Sequence, residues 1–185
     1  MWGSSMTVPV IRPPSHRTHC PRKSEATMPP KRSAGLLLFR RSQSGLEVFL
    51  AHPGGPFWTH QDDGAWTIPK GEVEDKEDPE DAAKREFEEE TGFLVTGTLQ
   101  PLLAIRQRGG KIVHAWAVEQ DVNPDDLKSN TFTLEFPPRS GHQRTFPEID
   151  RAAWFTLERA RIKILQSQAD LLTQLERLLG LDDHS

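Results

Sequence analysis

The 185-residue chain has no tyrosine, only three methionines and a single cysteine, Cys20. One cysteine cannot close an internal disulfide, which excludes a stapled extracellular scaffold and a Cys-based zinc site and leads us to expect a reducing, cytoplasmic setting. No apolar run approaches the roughly 18 residues that a membrane-spanning helix needs, so no membrane association is expected. An export signal is also missing, because the short apolar stretch Val8–Ile11 is interrupted by Pro9.

Charge is present but unevenly placed. Residues 1–33 hold six Lys and Arg against Glu25 alone, so that within a net charge of −4 the remaining residues 34–185 sum to −9. An acidic body of that kind argues against a nucleic-acid partner, which would call for a basic face. Between Gly71 and Phe93 eleven carboxylates stand against Lys76, Lys84 and Arg85. Proline, arginine and serine dominate residues 1–33 without periodicity, which predicts a disordered tail. Met28 then offers an alternative start. The tail also holds His16, His19 and Cys20, a weak soft-metal cluster that we do not expect to function.

A folded domain is expected over 34–180, with 181–185 as a short tail. Apolar runs at 34–39 and 46–51 predict two strands joined by a tight turn. A Gly- and Pro-rich loop follows over 52–64, carrying Phe57 and Trp58. The sequence then predicts a short strand at 66–68, a loop, and a helix over 80–91 closed by Gly92. Strands are expected over 94–103, 104–108, 111–119, 131–136 and 149–155, a hairpin at Gly109-Gly110, and a polar loop over 139–147. The leucine-rich stretch 157–179 reads as helix broken near Ser167, its leucines forming a packing stripe.

At about 100° per residue, Glu86, Glu89 and Glu90 fall at about 0°, −60° and +40°, on one face of the helix. Like charges so close repel, and a hard divalent cation such as Mg²⁺ or Mn²⁺ removes the conflict. Mg²⁺ commonly recruits substrate phosphates to complete its shell, which directs attention to polyphosphate chemistry.

The spacing Gly71, five residues, Glu77, seven residues, Arg85-Glu86-Phe87, one residue, Glu89-Glu90, one residue, Gly92-Phe93 resembles the complete Nudix signature. At average residue usage a chance match arises in fewer than about one in a million chains of this size. The resemblance implies an α/β fold, an α/β/α sandwich around a mixed sheet. It implies Glu86, Glu89, Glu90 and the Gly71 carbonyl as metal ligands, Arg85 and Glu77 as a stabilising ion pair, and Glu88 as solvent-facing. The implied reaction is cleavage of a phosphoanhydride in a nucleoside diphosphate-linked small molecule, with Mg²⁺ (or Mn²⁺) as cofactor and Glu86 or Glu148 as the base.

The run Trp66-Thr67-Ile68-Pro69-Lys70-Gly71 is similar to the entry of the signature in family members that cleave diadenosine polyphosphates. A dinucleoside polyphosphate is therefore the favoured substrate, with nucleoside triphosphates or ADP-ribose as alternatives and a silent nucleotide-binding regulator as the competing class. Lys70 would touch phosphate, and in the absence of tyrosine Phe57, Trp58 or Phe146 would stack a base, with Trp66 also counted among the substrate contacts. Arg106, Arg108, Lys111, Arg139, His142 and Arg144 are further cations in reach of consideration for phosphate. Oligomeric state is not legible.

Overall fold

The structure, a computed structural model, describes residues 30–107 and 109–181. The expected tail disorder and the His16, His19 and Cys20 cluster therefore lie outside the described residues, as does Arg108.

The central strand is β1 (Arg32–Ser42), which starts two residues before the apolar run that marks it in the sequence. It can be apolar throughout because both of its faces are covered: Ala34, Leu36 and Leu38 enter one core, Leu37 and Phe39 the other. A two-residue connection with Gly45 at φ 102° returns the chain as β2 (Gly45–Pro53). β1 pairs in parallel with β6 (Ile112–Glu119) from Arg32↔Ile112 to Phe39↔Glu119, and antiparallel with the short β3 (Lys70–Glu72) at Ser33–Gly35. β4 (Leu99–Pro101) and β5 (Ile105–Arg106) flank β6, and β9 (Ile149–Thr156) lies outside β2. The result is a seven-stranded mixed sheet, ordered β4-β6-β1-β2-β9 with β3 and β5 as side pairings.

Helix α1 (Pro79–Thr91) covers one face. Asp78 caps it by accepting from the Glu80 amide, Pro79 occupies its first turn without needing a donor, and Gly92 ends it at φ 76°. Ala82, Ala83 and Phe87 are its buried stripe, with Phe87 set edge-on to Phe49 at 6.5 Å. The opposite face is covered by α2 (Leu157–Lys163) and α3 (Ala169–Leu178), through Ala160, Leu171, Leu172 and Leu175. The expected α/β/α sandwich is the observed architecture. Among the described residues no helix is long and apolar enough to cross a membrane.

Three expectations are corrected. Residues 66–68 form only isolated bridges, Thr67 to Ala51 and Trp66 to Ile164, while the true strand follows Pro69. Most of 94–103 is not strand, because the Gln120 side chain accepts from the amides of Thr96 and Gly97 and so takes the place of a neighbouring strand. The stretch 139–147 is not all loop: Gln143–Pro147 is β8, paired antiparallel with β7 (Thr131–Glu135) as a separate two-stranded arm. It was obscured because one face of that arm is polar, with Thr133 opposite Thr145.

Phe87 anchors α1 to the sheet, so Phe87→Ala should lower unfolding stability by about 3–5 kcal/mol in urea denaturation. A loss below about 1 kcal/mol would mean that α1 is held by its caps and ion pairs instead.

Candidate active site

The site grows from the meeting of β3 with α1. Because β3 pairs with the first residues of β1, Gly71 is pinned beneath the carboxylate face of the helix. A Cβ at residue 71 would stand 1.7 Å from Glu86 Oε2, so a side chain there would displace that carboxylate. The neighbouring Lys70 amide donates to Glu90 Oε2 at 2.7 Å, tying the strand to the far side of the same helical face.

Arg85 organises the acids. Its Nε and Nη2 donate to the two oxygens of Glu77 at 2.8 and 2.9 Å, and its Nη2 also donates to the Glu72 carbonyl at 3.2 Å. Its Nη1 reaches Glu86 Oε1 at 2.8 Å and Glu89 Oε2 at 3.2 Å. Glu77 in turn accepts from the Glu74 amide at 2.9 Å, across a turn in which Lys76 takes φ 69°. The Arg85 guanidinium, with the Glu74 amide second, holds the Glu77 carboxyl down at about 2. Reciprocally, the bonds to Glu77 raise Arg85 above its ordinary value.

The remaining acids are uncomfortable. Burial pushes Glu90 up to about 7, with the charges of Glu86 and Glu148 adding to it and Lys70 opposing it. Burial also raises Glu86, against the pull of Arg85 and with a further push from Glu89 and Glu148. Glu148 is exposed, and its charge adds to the raising of both Glu86 and Glu90. Lys70, half-buried, is lowered by burial, with Glu90 opposing and Lys111 contributing.

Among the described residues no three acidic or imidazole side chains converge at ligating distance, since Arg85 holds Glu86 and Glu89 and a backbone amide holds Glu90. The donor set nevertheless suits a hard divalent cation: three carboxylates on one helical face, two of them made harder to ionise chiefly by burial, beside a glycine that keeps the space open.

Other sequence-predicted residues separate from this cluster. Trp66 is 4% exposed, donates from Nε1 to Asp62 and meets Phe155 edge-on at 4.9 Å in the core below α2 and α3. Trp58 packs against that same core. Their rings thus serve the side of the sheet away from α1. Glu88 is not simply solvent-facing, as it is half-buried and accepts from the Val95 amide at 3.3 Å. Phe57 is 61% exposed, on the loop before Trp58. Arg139, His142, Arg144 and Phe146 belong to the β7–β8 arm and its tip, whereas Arg106 sits in β5 at the other side of the sheet.

One residue escaped the sequence reading. His52, fully buried at the end of β2, contacts Asp150 Oδ1 through Nδ1 at 2.7 Å and the Gln61 carbonyl through Nε2 at 2.8 Å. It thereby joins the 54–64 loop to the strand that begins just after Glu148. No spacing announces it, because its partners lie 98 and 9 residues away.

The family model for the NUDIX domain matches residues 29–175, and the chain belongs to the Nudix family. It is 33% identical over 115 residues to an octanoyltransferase of Myxococcus xanthus, covering 62% of this chain, and 62% identical over 31 residues to Nudix hydrolase 25 of Arabidopsis thaliana, covering 17% of it. The chain spans 25% and 18% of the length of these curated relatives. Among solved structures, a C. elegans Ap4A hydrolase in a binary complex is similar at 26% identity and a TM-score of 0.56, over 81% of this chain and 98% of that one. The NUDIX domain of Shewanella oneidensis NrtR, complexed with ADP ribose, shares the fold at 15% identity and a TM-score of 0.58, over 85% and 93%.

The raised carboxyls give a pH signature. Glu90 is protonated in the folded chain at pH values where the unfolded chain has already lost that proton, so its contribution to stability is whole below 4.5 and is lost as pH rises to about 7. Thermal unfolding of metal-free protein across that window should show this decline, and Glu90→Gln should flatten it. An unchanged slope in the variant would remove Glu90 as its source.

Proposed function

We propose that the protein is a divalent-cation-dependent hydrolase that splits a phosphoanhydride in a nucleoside diphosphate-linked substrate, with a dinucleoside polyphosphate favoured. The observation that carries this reading is the carboxylate face of α1 set against Gly71, where a side chain of any size would strike Glu86. The similarity to an Ap4A hydrolase supports the substrate class.

Glu86, Glu89, Glu90 and the Gly71 carbonyl would hold Mg²⁺ or Mn²⁺. When bound, such a cation polarises phosphoryl oxygens and makes a nearby water more acidic. Arg85, itself fixed by Glu77, keeps Glu86 and Glu89 oriented through its hydrogen bonds. The Lys70 ammonium offers a point charge to a substrate phosphate beside Glu90.

Between the two candidate bases the site favours Glu148. Its side chain makes no hydrogen bond or ion pair among the described residues and its charge bears on both Glu86 and Glu90, whereas Glu86 is engaged by Arg85. Its carboxylate accepts the proton as the water oxygen bonds to phosphorus; the bridging phosphorus–oxygen bond breaks and the phosphate on the far side departs with the electron pair.

Glu89→Gln should reduce Mg²⁺-dependent turnover by about a hundredfold or more while the protein stays folded by circular dichroism. Turnover equal to that of the parent would remove the proposed role. Glu148→Gln should lower kcat by about 10²-fold or more and leave cation uptake intact; a parental kcat would return the base assignment to Glu86. The substrate is tested with dinucleoside polyphosphates, nucleoside triphosphates and ADP-ribose, scored by the phosphates released. Turnover of ADP-ribose alone would overturn the favoured substrate.

A further inference from the structure

Glu148 has no side-chain partner among the described residues, so its position is set by the backbone that carries it. That backbone lies at a junction. β8 belongs to the two-stranded arm and β9 to the main sheet, and Glu148 is the residue between them. The main chain there is held from three sides: the Glu148 amide donates to the Asn130 carbonyl at 2.8 Å, the Glu148 carbonyl accepts from the Gly54 amide at 2.8 Å, and the Ile149 amide donates to the Ser129 hydroxyl at 2.8 Å.

Just beyond it the ladder between β9 and β2 slips. His52 stands opposite Arg151 and Pro53 opposite Ile149, which leaves Asp150 as an extra residue without a partner across the ladder. Arg151 lies over the Trp66 ring at 5.4 Å, and Asp150 reaches His52, which is itself edge-on to Trp66 at 5.3 Å. Two successive residues of β9 therefore turn to the side of the sheet away from α1, the mark of a β-bulge. A bulge resets the alternation of side chains by one residue, so a β9 that lost it would carry Ile149 and the bend at Glu148 to the opposite face. The direction in which Glu148 points thus depends on the bulge keeping its shape.

His52 holds that shape. The ring is fully buried, and both of its nitrogens face oxygens: the Asp150 carboxylate at 2.7 Å and the Gln61 carbonyl at 2.8 Å. A carbonyl can only accept, so the two bonds form together only when Nε2 carries a proton and a second proton sits between Nδ1 and the carboxylate. Such a charge-assisted bond is short and directional. Through Gln61 the same ring grips the 54–64 loop, which supplies the Gly54 amide to Glu148. A Cβ on Gly54 would fall 2.0 Å from the Pro147 carbonyl oxygen, so loop and strand have no slack between them at that point.

We infer that His52 is a positioning residue for the hydrolytic reaction: by tying the Asp150 bulge to the Gln61 carbonyl it fixes the main chain that aims the Glu148 carboxylate. The inference rests on the reading of Glu148 as the base that accepts the water proton. His52 itself touches no substrate and transfers no proton in the reaction. Its effect is geometric, since a base displaced by about 1 Å from its water can slow the step by about 10²-fold. A residue that served stability alone would leave the turnover of the folded molecules unchanged.

The test is a double-mutant cycle on kcat, measured in Mg²⁺ with whichever dinucleoside polyphosphate, nucleoside triphosphate or ADP-ribose the parent turns over fastest. Asp150→Ala removes a partly exposed partner, and His52→Phe keeps a ring against Trp66 while losing both bonds. Each should lower kcat by about tenfold or more, with KM and Mn²⁺ uptake near the parental values. In a Glu148→Gln background the same changes should lower kcat no further, because they act only through that carboxylate. Parental kcat in either folded variant, or a loss undiminished in the Glu148→Gln background, would overturn the positioning role while leaving the base assignment standing. Parental kcat in Glu148→Gln itself would overturn the base assignment and the inference with it. No turnover of any of these substrates by the parent would overturn the hydrolytic reading as a whole.

Discussion

Three carboxylates on one turn and a quarter of helix repel one another, and the site is organised around living with that repulsion. Arg85 neutralises part of it, spending one edge of its guanidinium on Glu77 and a nitrogen of the other on Glu86 and Glu89. Burial, with the remaining like charge added to it, leaves raised proton affinity on Glu86 and Glu90. A stability-optimised helix would not keep such a face, and the proposed cation site gives a reason for it.

The scaffold follows from this demand. β3 is only three residues long, yet by pairing with β1 it sets Gly71 where a side chain would collide with Glu86 and sets the Lys70 amide onto Glu90. The buried stripe Ala82, Ala83 and Phe87 presses the other side of α1 onto the sheet, so the acids are aimed outward by packing that has no part in chemistry. On the far edge of the sheet, β9 brings up Glu148, while His52 locks the 54–64 loop to the residues that follow it. Rigid elements thus carry the proposed phosphate site, and a loop and a small arm stand at its margin.

The helix and its acids were readable from the chain because one short segment contains everything they need: Asp78 and Pro79 to start, Gly92 to stop, and glutamates at helical spacing. β1 and β2 were readable for the same reason, since apolar runs and Gly45 are local signals. What depended on distant partners was not. Trp58 in its loop and Trp66 in its short predicted strand both read as substrate contacts, but both pack on the core beneath α2 and α3. The β8 strand looked like polar loop because its register with β7, not its composition, puts Phe146 opposite Phe132. The His52–Asp150 contact, 98 residues apart in sequence, has no local signature at all.

The central claim is that this acidic face takes up a hard divalent cation, and calorimetric titration of Mn²⁺ into the protein near pH 6.5, in buffers of differing ionisation enthalpy, tests it most directly. Because Glu90 holds its proton up to about 7, uptake should be saturable and should release protons, and both should be diminished by Glu90→Gln. Absence of any uptake by the folded parent protein, with and without nucleotide present, would contradict the account.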